Sequence, residues 1–373
     1  MTRSRKRSKQ SDGEDAYAVR PYRPGDREGF LSLYDTVFGA TSEEWFRWKY
    51  ADNPYAGRIP MYVAESEGDI VGASPFFALR VRVGGDSALA LQPADAMVHP
   101  DHRRRGLLTR MTEAAIDDYE EGDPAMFFNF PNPTAKGAFT KLGWVEVGDV
   151  TTHYRVQNPA NLTQTESAFN RLTAPGTALA RAYFAVRDRL VPAETGRVTV
   201  ERREEVPAAE LAALYAADPP EEIHVVRDER FYQWRYENPK WEYTSYLARR
   251  DGDPVAGLVV GTRTSDGTRV TKLVDAVPCA AGREATALSR LVHRAIDDHR
   301  DADLIGAWDG TLPDDVLDRF GFRADDHFPL SRVSTRTAVV ARALEGDDTD
   351  VLRGVELDAR TNWRLMFAGK DTC

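Results

Sequence analysis

VHPDHRRRGLLTRM, residues 98–111, sets three consecutive arginines and a glycine directly before a helix-spaced run. Upstream, ALALQPADAMV (88–98) alternates as a strand does. Downstream, Leu107, Met111, Ala114, Ala115 and Tyr119 fall on one helical face. A strand thus hands over to a helix through an arginine-rich turn. The first amides of a helix have no intrahelical acceptor, and the helix dipole adds partial positive charge there. Gly106 lets the backbone approach a bulky group closely, and guanidinium forks match phosphate oxygens. The stretch therefore reads as a phosphate-binding turn. It is not a Walker loop, since no Gly-Lys-Ser/Thr follows, and it lacks the glycines of a dinucleotide fingerprint. Arginines before a helix are often a solvated surface cluster. The strand-to-helix position, where α/β sheets usually bind ligands, favours the functional reading.

The rest of the composition makes that cluster stand out. The chain of 373 residues carries a formal charge of −10. Such a surface repels nucleic-acid backbones, so a bound anion is expected only at a local basic turn. Apolar residues make up 42% of the chain, enough for two cores, yet no run approaches the ~20 apolar residues of a membrane span. No signal-peptide pattern is present. Residues 1–15 read as a disordered tail. Cys279 and Cys373 form neither a disulfide framework nor a metal site and fit a reducing, cytoplasmic setting. His99, His102 and His153 lack metal-ligand spacing, so no metal and no membrane partner is expected.

Outward from the turn, the chain repeats itself. EEWFRWKYADNPY (43–55) pairs with ERFYQWRYENPKW (229–241), which aligns Trp48 with Trp234 and Tyr50 with Tyr236. EGDIVGA (67–73) echoes DGDPVAG (251–257), DAMV (95–98) echoes DAVP (275–278), and KLGW (141–144) echoes RFGF (319–322). The order is kept and the offset drifts only from 186 to 178 residues, so one fold occurs twice in tandem. Each copy reads β-α-β-β-β-α-β-α-β, an α/β (α+β mixed sheet) architecture with helices on both faces. In the first copy YAVRPY (17–22), MYVAES (61–66), DIVGASPFFALRVRV (69–83), AMFFNF (125–130) and WVEVGDVTTHYRV (144–156) are the other strands. Asn132-Pro133 starts a helix that Gly143 ends. The expected divisions are 16–157 for the first domain, 158–195 for a helical connector, 196–345 for the second domain and 346–373 for a final segment, in which NWRLMF reads as a strand.

At this point the residues resemble a known family. Val98, Pro100, Arg103 and Gly106 match motif A of the GNAT superfamily of acyl-CoA N-acyltransferases, V-x-P-x-x-R/Q-x-x-G-x-G/A, with Leu108 departing at the last small position. Asn132, Ala135, Gly143 and Trp144 match the family's later N-x-x-A…G-F segment, while Phe139 stands where the family has a tyrosine. The W-K-Y…N-P motif is similar to multidomain members related to Eis-type acetyltransferases. The resemblance implies an acetyl-CoA co-substrate whose pyrophosphate lies on Arg103, Arg104, Arg105, Gly106, Leu107, Leu108 and Thr109. It also implies a pantetheine arm paired with the strand edge at Met97 and Val98, and a contact at Asn132. The acyl group would pass directly to an amine, on a small molecule or a peptide.

The catalytic residues implied are Asn129, which could orient water or the acceptor, and Cys373, whose carboxylate can reach the site in Eis-type relatives. The second copy reads DAVPCAAGREATALSRL against DAMVHPDHRRRGLLTRM and has lost the arginines and the aligned glycine. What both copies keep, including Asp95/Asp275, is expected to serve the fold; the turn kept by the first copy alone is expected to serve the cofactor. Two other readings stay open: a non-catalytic acyl-CoA sensor, and an aminoacyl-tRNA-dependent peptide-bridge ligase, which also uses two such folds.

Overall fold

The computed structural model describes residues 16–120, 122–158, 198–279, 284–328, 330–332, 334 and 336–372. The expected tail at 1–15, nearly all of the connector and Cys373 lie outside the described residues. The first half runs β1 (Ala18–Pro21), α1 (Arg27–Phe38), α2 (Glu43–Phe46), β2 (Met61–Ser66), β3 (Asp69–Val83), β4 (Asp86–Pro93), β5 (Met97–Val98), α3 (Leu107–Glu120), β6 (Pro124–Asn129), α4 (Pro133–Lys141), β7 (Val145–Val150) and β8 (Thr152–Val156). The second runs β9 (Val198–Arg203), α5 (Ala208–Ala217), β10 (His224–Val225), α6 (Glu229–Arg235), β11 (Glu242–Arg250), β12 (Asp253–Ser265), β13 (Thr268–Val277), α7 (Ala285–Asp298), β14 (Leu304–Trp308), α8 (Asp314–Arg319), β15 (Arg323–Ala324) and β16 (Thr337–Ala343). The repeated element order expected from sequence is present.

Alternation along β3 shows why each sheet needs helices on both faces. Phe76 and Ala78 pack with Leu107, Met111 and Tyr119 of α3, whereas Phe77 and Leu79 pack with Phe30 of α1 and Trp45 of α2. With successive side chains on opposite faces, a strand buried throughout must be covered twice. The second core continues across the halves and includes Trp234, Leu247, Val259 and Trp308. At its centre the two repeated tryptophans stack with ring centroids 6.0 Å apart. Trp48 Nε1 donates to the Trp234 carbonyl at 3.0 Å, and Trp234 Nε1 returns the bond to Trp48 at 2.8 Å. This reciprocity relates the halves by a local twofold. An aromatic pair of this kind contributes about 1 kcal/mol beyond its buried area.

The sheets correct three strand readings. WVEVGDVTTHYRV is two strands, because the chain leaves the first sheet at Thr151. The order of the first sheet is β1-β2-β3-β4-β6-β16-β7, and that of the second is β15-β8-β14-β13-β12-β11-β9. β16 of the second half enters the first sheet between β6 and β7, and β8 of the first half enters the second between β14 and β15. The halves exchange their last strands. Alternation is the same whichever sheet receives a strand, so sequence alone reads the segment as continuous. ALALQPADAMV also breaks, at Asp95, whose φ of +48° lies in the left-handed region. NWRLMF is not a regular strand: Trp363 makes one isolated bridge to Ile223, and short turns follow.

Candidate functional site

The break at Asp95 shapes the site. β4 pairs in parallel with β6 through Leu91 and Phe127, and the pairing then stops. Beyond it, Phe128 and Asn129 pair with β16, while β5 pairs with Gly72 and Ala73 of β3. The two central strands therefore part. The Val98 carbonyl faces away from β3 and accepts from Arg103 Nε at 3.2 Å.

Next comes the arginine turn. Arg104 (φ +63°) and Gly106 (φ +73°) both adopt left-handed conformations, which turn the chain sharply into α3. The Arg110 amide donates to the Gly106 carbonyl at 3.0 Å and opens the helix. The amides of Leu107, Leu108 and Thr109 precede that bond and have no intrahelical acceptor. A cleft of about 410 Å³ lies against them. Met97, Val98, Arg103, Arg104, Gly106, Leu107, Leu108 and Thr109 all line it, so eight sequence-predicted residues come together. Among the described residues three large apolar side chains stay exposed, and two of them, Phe38 and Leu108, line this cleft. Exposed apolar surface beside free amides suits a ligand with both a diphosphate and an apolar arm.

Other predicted residues sit apart. Arg105 lies with its guanidinium 5.6 Å over the Tyr17 ring. Arg104 is exposed and makes no ion pair or hydrogen bond among the described residues, so its fork is available to a phosphate. Asn132 caps α4, its Oδ1 accepting from the Ala135 amide at 2.9 Å. Asn129 is half-buried at the end of β6, and its Oδ1 accepts from the Phe130 amide at 2.7 Å. Phe139 packs tilted against Trp144 with centroids 4.6 Å apart.

Sequence reasoning missed Lys49. After α2 the helix widens by one residue, the Asp52 amide donating to the Arg47 carbonyl at 2.7 Å. This buries Trp48, Lys49 and Tyr50 together. Lys49 Nζ sits 2.5 Å from Asp95 Oδ2 and 2.9 Å from Asp371 Oδ2, and the Tyr50 hydroxyl donates to the same Asp95 oxygen at 2.6 Å. Burial alone would push the Lys49 ammonium down, but the two carboxylates outweigh it and hold the group above its ordinary range. Burial also raises Tyr50, with Asp95 adding to the effect. A lysine inside an aromatic helix motif was the available signal.

The second half differs where α7 begins. Glu284 (φ +54°), aligned with Arg104, is the last residue before the helix, and the Leu288 amide donates to its carbonyl at 2.9 Å. Arg250 holds the Glu284 carboxylate with bonds of 2.9 and 2.5 Å. That carboxylate makes no bond to the first amides of α7.

Comparison with known proteins agrees with this geometry. A family model described as an acetyltransferase (GNAT) domain matches residues 18–147. The first half of the chain is a GNAT domain. The chain accordingly carries an acyltransferase domain, and the whole is two GNAT folds in tandem. A tandem GNAT protein from the clavulanic acid biosynthesis pathway superposes with a TM-score of 0.53 at 14% identity, covering 89% of this chain and 100% of that one. A GCN5-related N-acetyltransferase from Anabaena variabilis gives 0.55 at 11% identity, over 88% of this chain and 73% of the other. Saccharomyces cerevisiae N-myristoyltransferase with bound myristoyl-CoA gives 0.57 at 12% identity, over 93% and 84%. At these identities the likeness is one of fold. No curated protein matches the chain. Among the described residues no helix is long and apolar enough to cross a membrane, and no group of His, Cys, Asp and Glu has the arrangement of a metal site.

Proposed function

We propose that this protein transfers an acetyl or related acyl group from acyl-CoA to an amine, within the GNAT domain of the first half. One observation carries the reading: free amides and an unengaged arginine line a cleft where two sheet strands part. In this reading the amides of Leu107, Leu108 and Thr109, with Arg104, hold the pyrophosphate. The free edge at Val98 holds the amide-bearing arm by strand addition. The amine nitrogen attacks the thioester carbonyl and gives up its second proton to solvent, the carbon–sulfur bond breaks, and CoA leaves as thiolate. An alkylamine is mostly protonated near neutrality, its pKa being about 10, so a base or a water chain must first take its proton. Phe139 cannot donate a proton to the leaving group. A thiolate of pKa near ~8.5 leaves without one.

The acceptor is a small-molecule or peptide amine, and acetyl-CoA is the expected donor. Two assays test the proposal: thiol release from acetyl-CoA with a panel of amines, and calorimetric titration with CoA. Replacing Arg104 and Arg105 together by alanine should weaken CoA binding by about 1–3 kcal/mol, the range for charged hydrogen bonds. Unchanged affinity in that variant would reject the turn as the pyrophosphate site. Phe139 favours one second reading, a CoA sensor, for which CoA binds and no amine releases thiol.

A further inference from the structure

The residue after the paired tryptophan is a cation in both halves, Lys49 and Arg235, and both are buried. A charge taken out of water must be matched closely or it destabilises the fold. Arg235 meets this need with backbone: Nε donates to the Ala368 carbonyl at 2.8 Å and Nη2 to Lys370 at 2.6 Å. Lys49 meets it with Asp371 and Asp95. Two positions related by the internal repeat therefore close on one four-residue stretch, 368–371. That stretch follows the last repeated element.

Other contacts fasten the same segment between the sheets. Buried Gln92 donates to the Gly369 carbonyl at 3.1 Å and accepts from the Asp371 amide at 2.7 Å. Trp241 Nε1 donates to the Thr372 carbonyl at 3.1 Å. Gly310 lies so close to the Leu365 carbonyl that no side chain fits there. The segment is held from both halves at once.

Lys49 does something more than Arg235. Its second carboxylate, Asp95, is the left-handed residue at the break between β4 and β5, two residues before the cleft-lining edge at Met97. Tyr50 holds the same oxygen from the other side. One ammonium thus connects the segment 365–372 to the strand edge of the cleft. We propose that Lys49 is a positioning residue for acyl transfer: through Asp95 it fixes the edge that presents the thioester, and through Asp371 it docks the segment 365–372 beside that edge. The proposal rests on the acyl-transfer reading above. Lys49 itself touches neither acyl group nor acceptor.

The test uses the full chain and three variants, Lys49→Met, Lys49→Arg and Asp371→Asn. The readouts are CoA affinity by calorimetry, kcat and KM for acetyl-CoA with an accepted amine, thermal melting, and amide hydrogen exchange over 365–372. Lys49→Met and Asp371→Asn should lower kcat at least tenfold, leave CoA affinity within about twofold, and speed exchange in the segment. Lys49→Arg, which keeps the charge, should recover kcat to within about threefold. Asp371→Asn guards against misfolding, because it leaves Lys49 paired with Asp95. A folded Asp371→Asn protein with unchanged kcat and exchange overturns the proposal, as does a Lys49→Met variant whose CoA affinity falls in step with its kcat. If the wild type binds CoA but acylates no amine, the transferase reading fails and with it the catalytic part of this one. Exchange data then report on docking alone.

Discussion

The two halves share a topology, a stacked tryptophan and a tyrosine–aspartate bond, yet they differ at two points. The tyrosine donates to the aspartate in both, at 2.6 Å for Tyr50 to Asp95 and 3.3 Å for Tyr236 to Asp275. In the second half Asp275 is sealed against Arg227 Nε at 2.8 Å, with both side chains 1% exposed. In the first half Asp95 remains 15% exposed and answers to Lys49, which is shared with Asp371. At the helix start, Arg104 is unpaired among the described residues in the first half, whereas the aligned Glu284 is held by Arg250 in the second. A residue kept in both copies can therefore serve the fold in one and stand beside the candidate cleft in the other. The partners around it, rather than its identity, make the difference.

The largest effect expected from this comparison concerns the strand exchange. Residues 16–157 alone keep β6 and β7 but lose β16, which bridges them, and β8 loses β14. Unpaired central edges expose backbone groups that must be satisfied. That fragment should show no cooperative thermal transition and should aggregate; co-expression with residues 158–373 should restore one. A cooperative melt from 16–157 by itself would mean that the exchange is dispensable.

How far the sequence carried this picture follows from the range of the interactions. The turn at 103–106 was legible because glycine freedom, arginine chemistry and helix-start amides are local properties. The duplicated order was legible because alternation and helical spacing repeat within each segment. The exchange was hidden, since Thr152–Val156 alternates identically in either sheet. The buried cluster was hidden too: Lys49 meets Asp95 across 46 residues and Asp371 across 322, and no local pattern encodes such pairs. The NWRLMF segment read as a strand because Trp363, Leu365, Met366 and Phe367 are buried, packed between sheets and not hydrogen-bonded within one.

A smaller effect separates the two aspartates. Asp275→Asn leaves the Arg227 guanidinium buried beside a neutral amide, and removing one partner of such a pair costs about 3–5 kcal/mol. Asp95→Asn leaves Lys49 its bond to Asp371, so its cost should stay near ~1–2 kcal/mol, that of a hydrogen bond lost at a buried donor. Urea unfolding of the two variants measures the difference. Equal destabilisation would erase the distinction between a sealed pair and an open one.

The smallest change tests whether the open turn is what sets the halves apart in function. Gly106→Glu sets a carboxylate on the last residue before α3, as Glu284 does before α7. Glu284 holds a left-handed conformation as the last residue before its helix, and space is open around Gly106, so the fold should accept the substitution with a shift of only a few degrees in Tm. The new carboxylate would sit at the helix amides, where the diphosphate is proposed to bind, and like charge would exclude the ligand. CoA affinity should fall at least about 100-fold, equivalent to about 2.7 kcal/mol. Calorimetry on the folded variant decides: full affinity would show that CoA does not use this turn, whatever chemistry the domain performs.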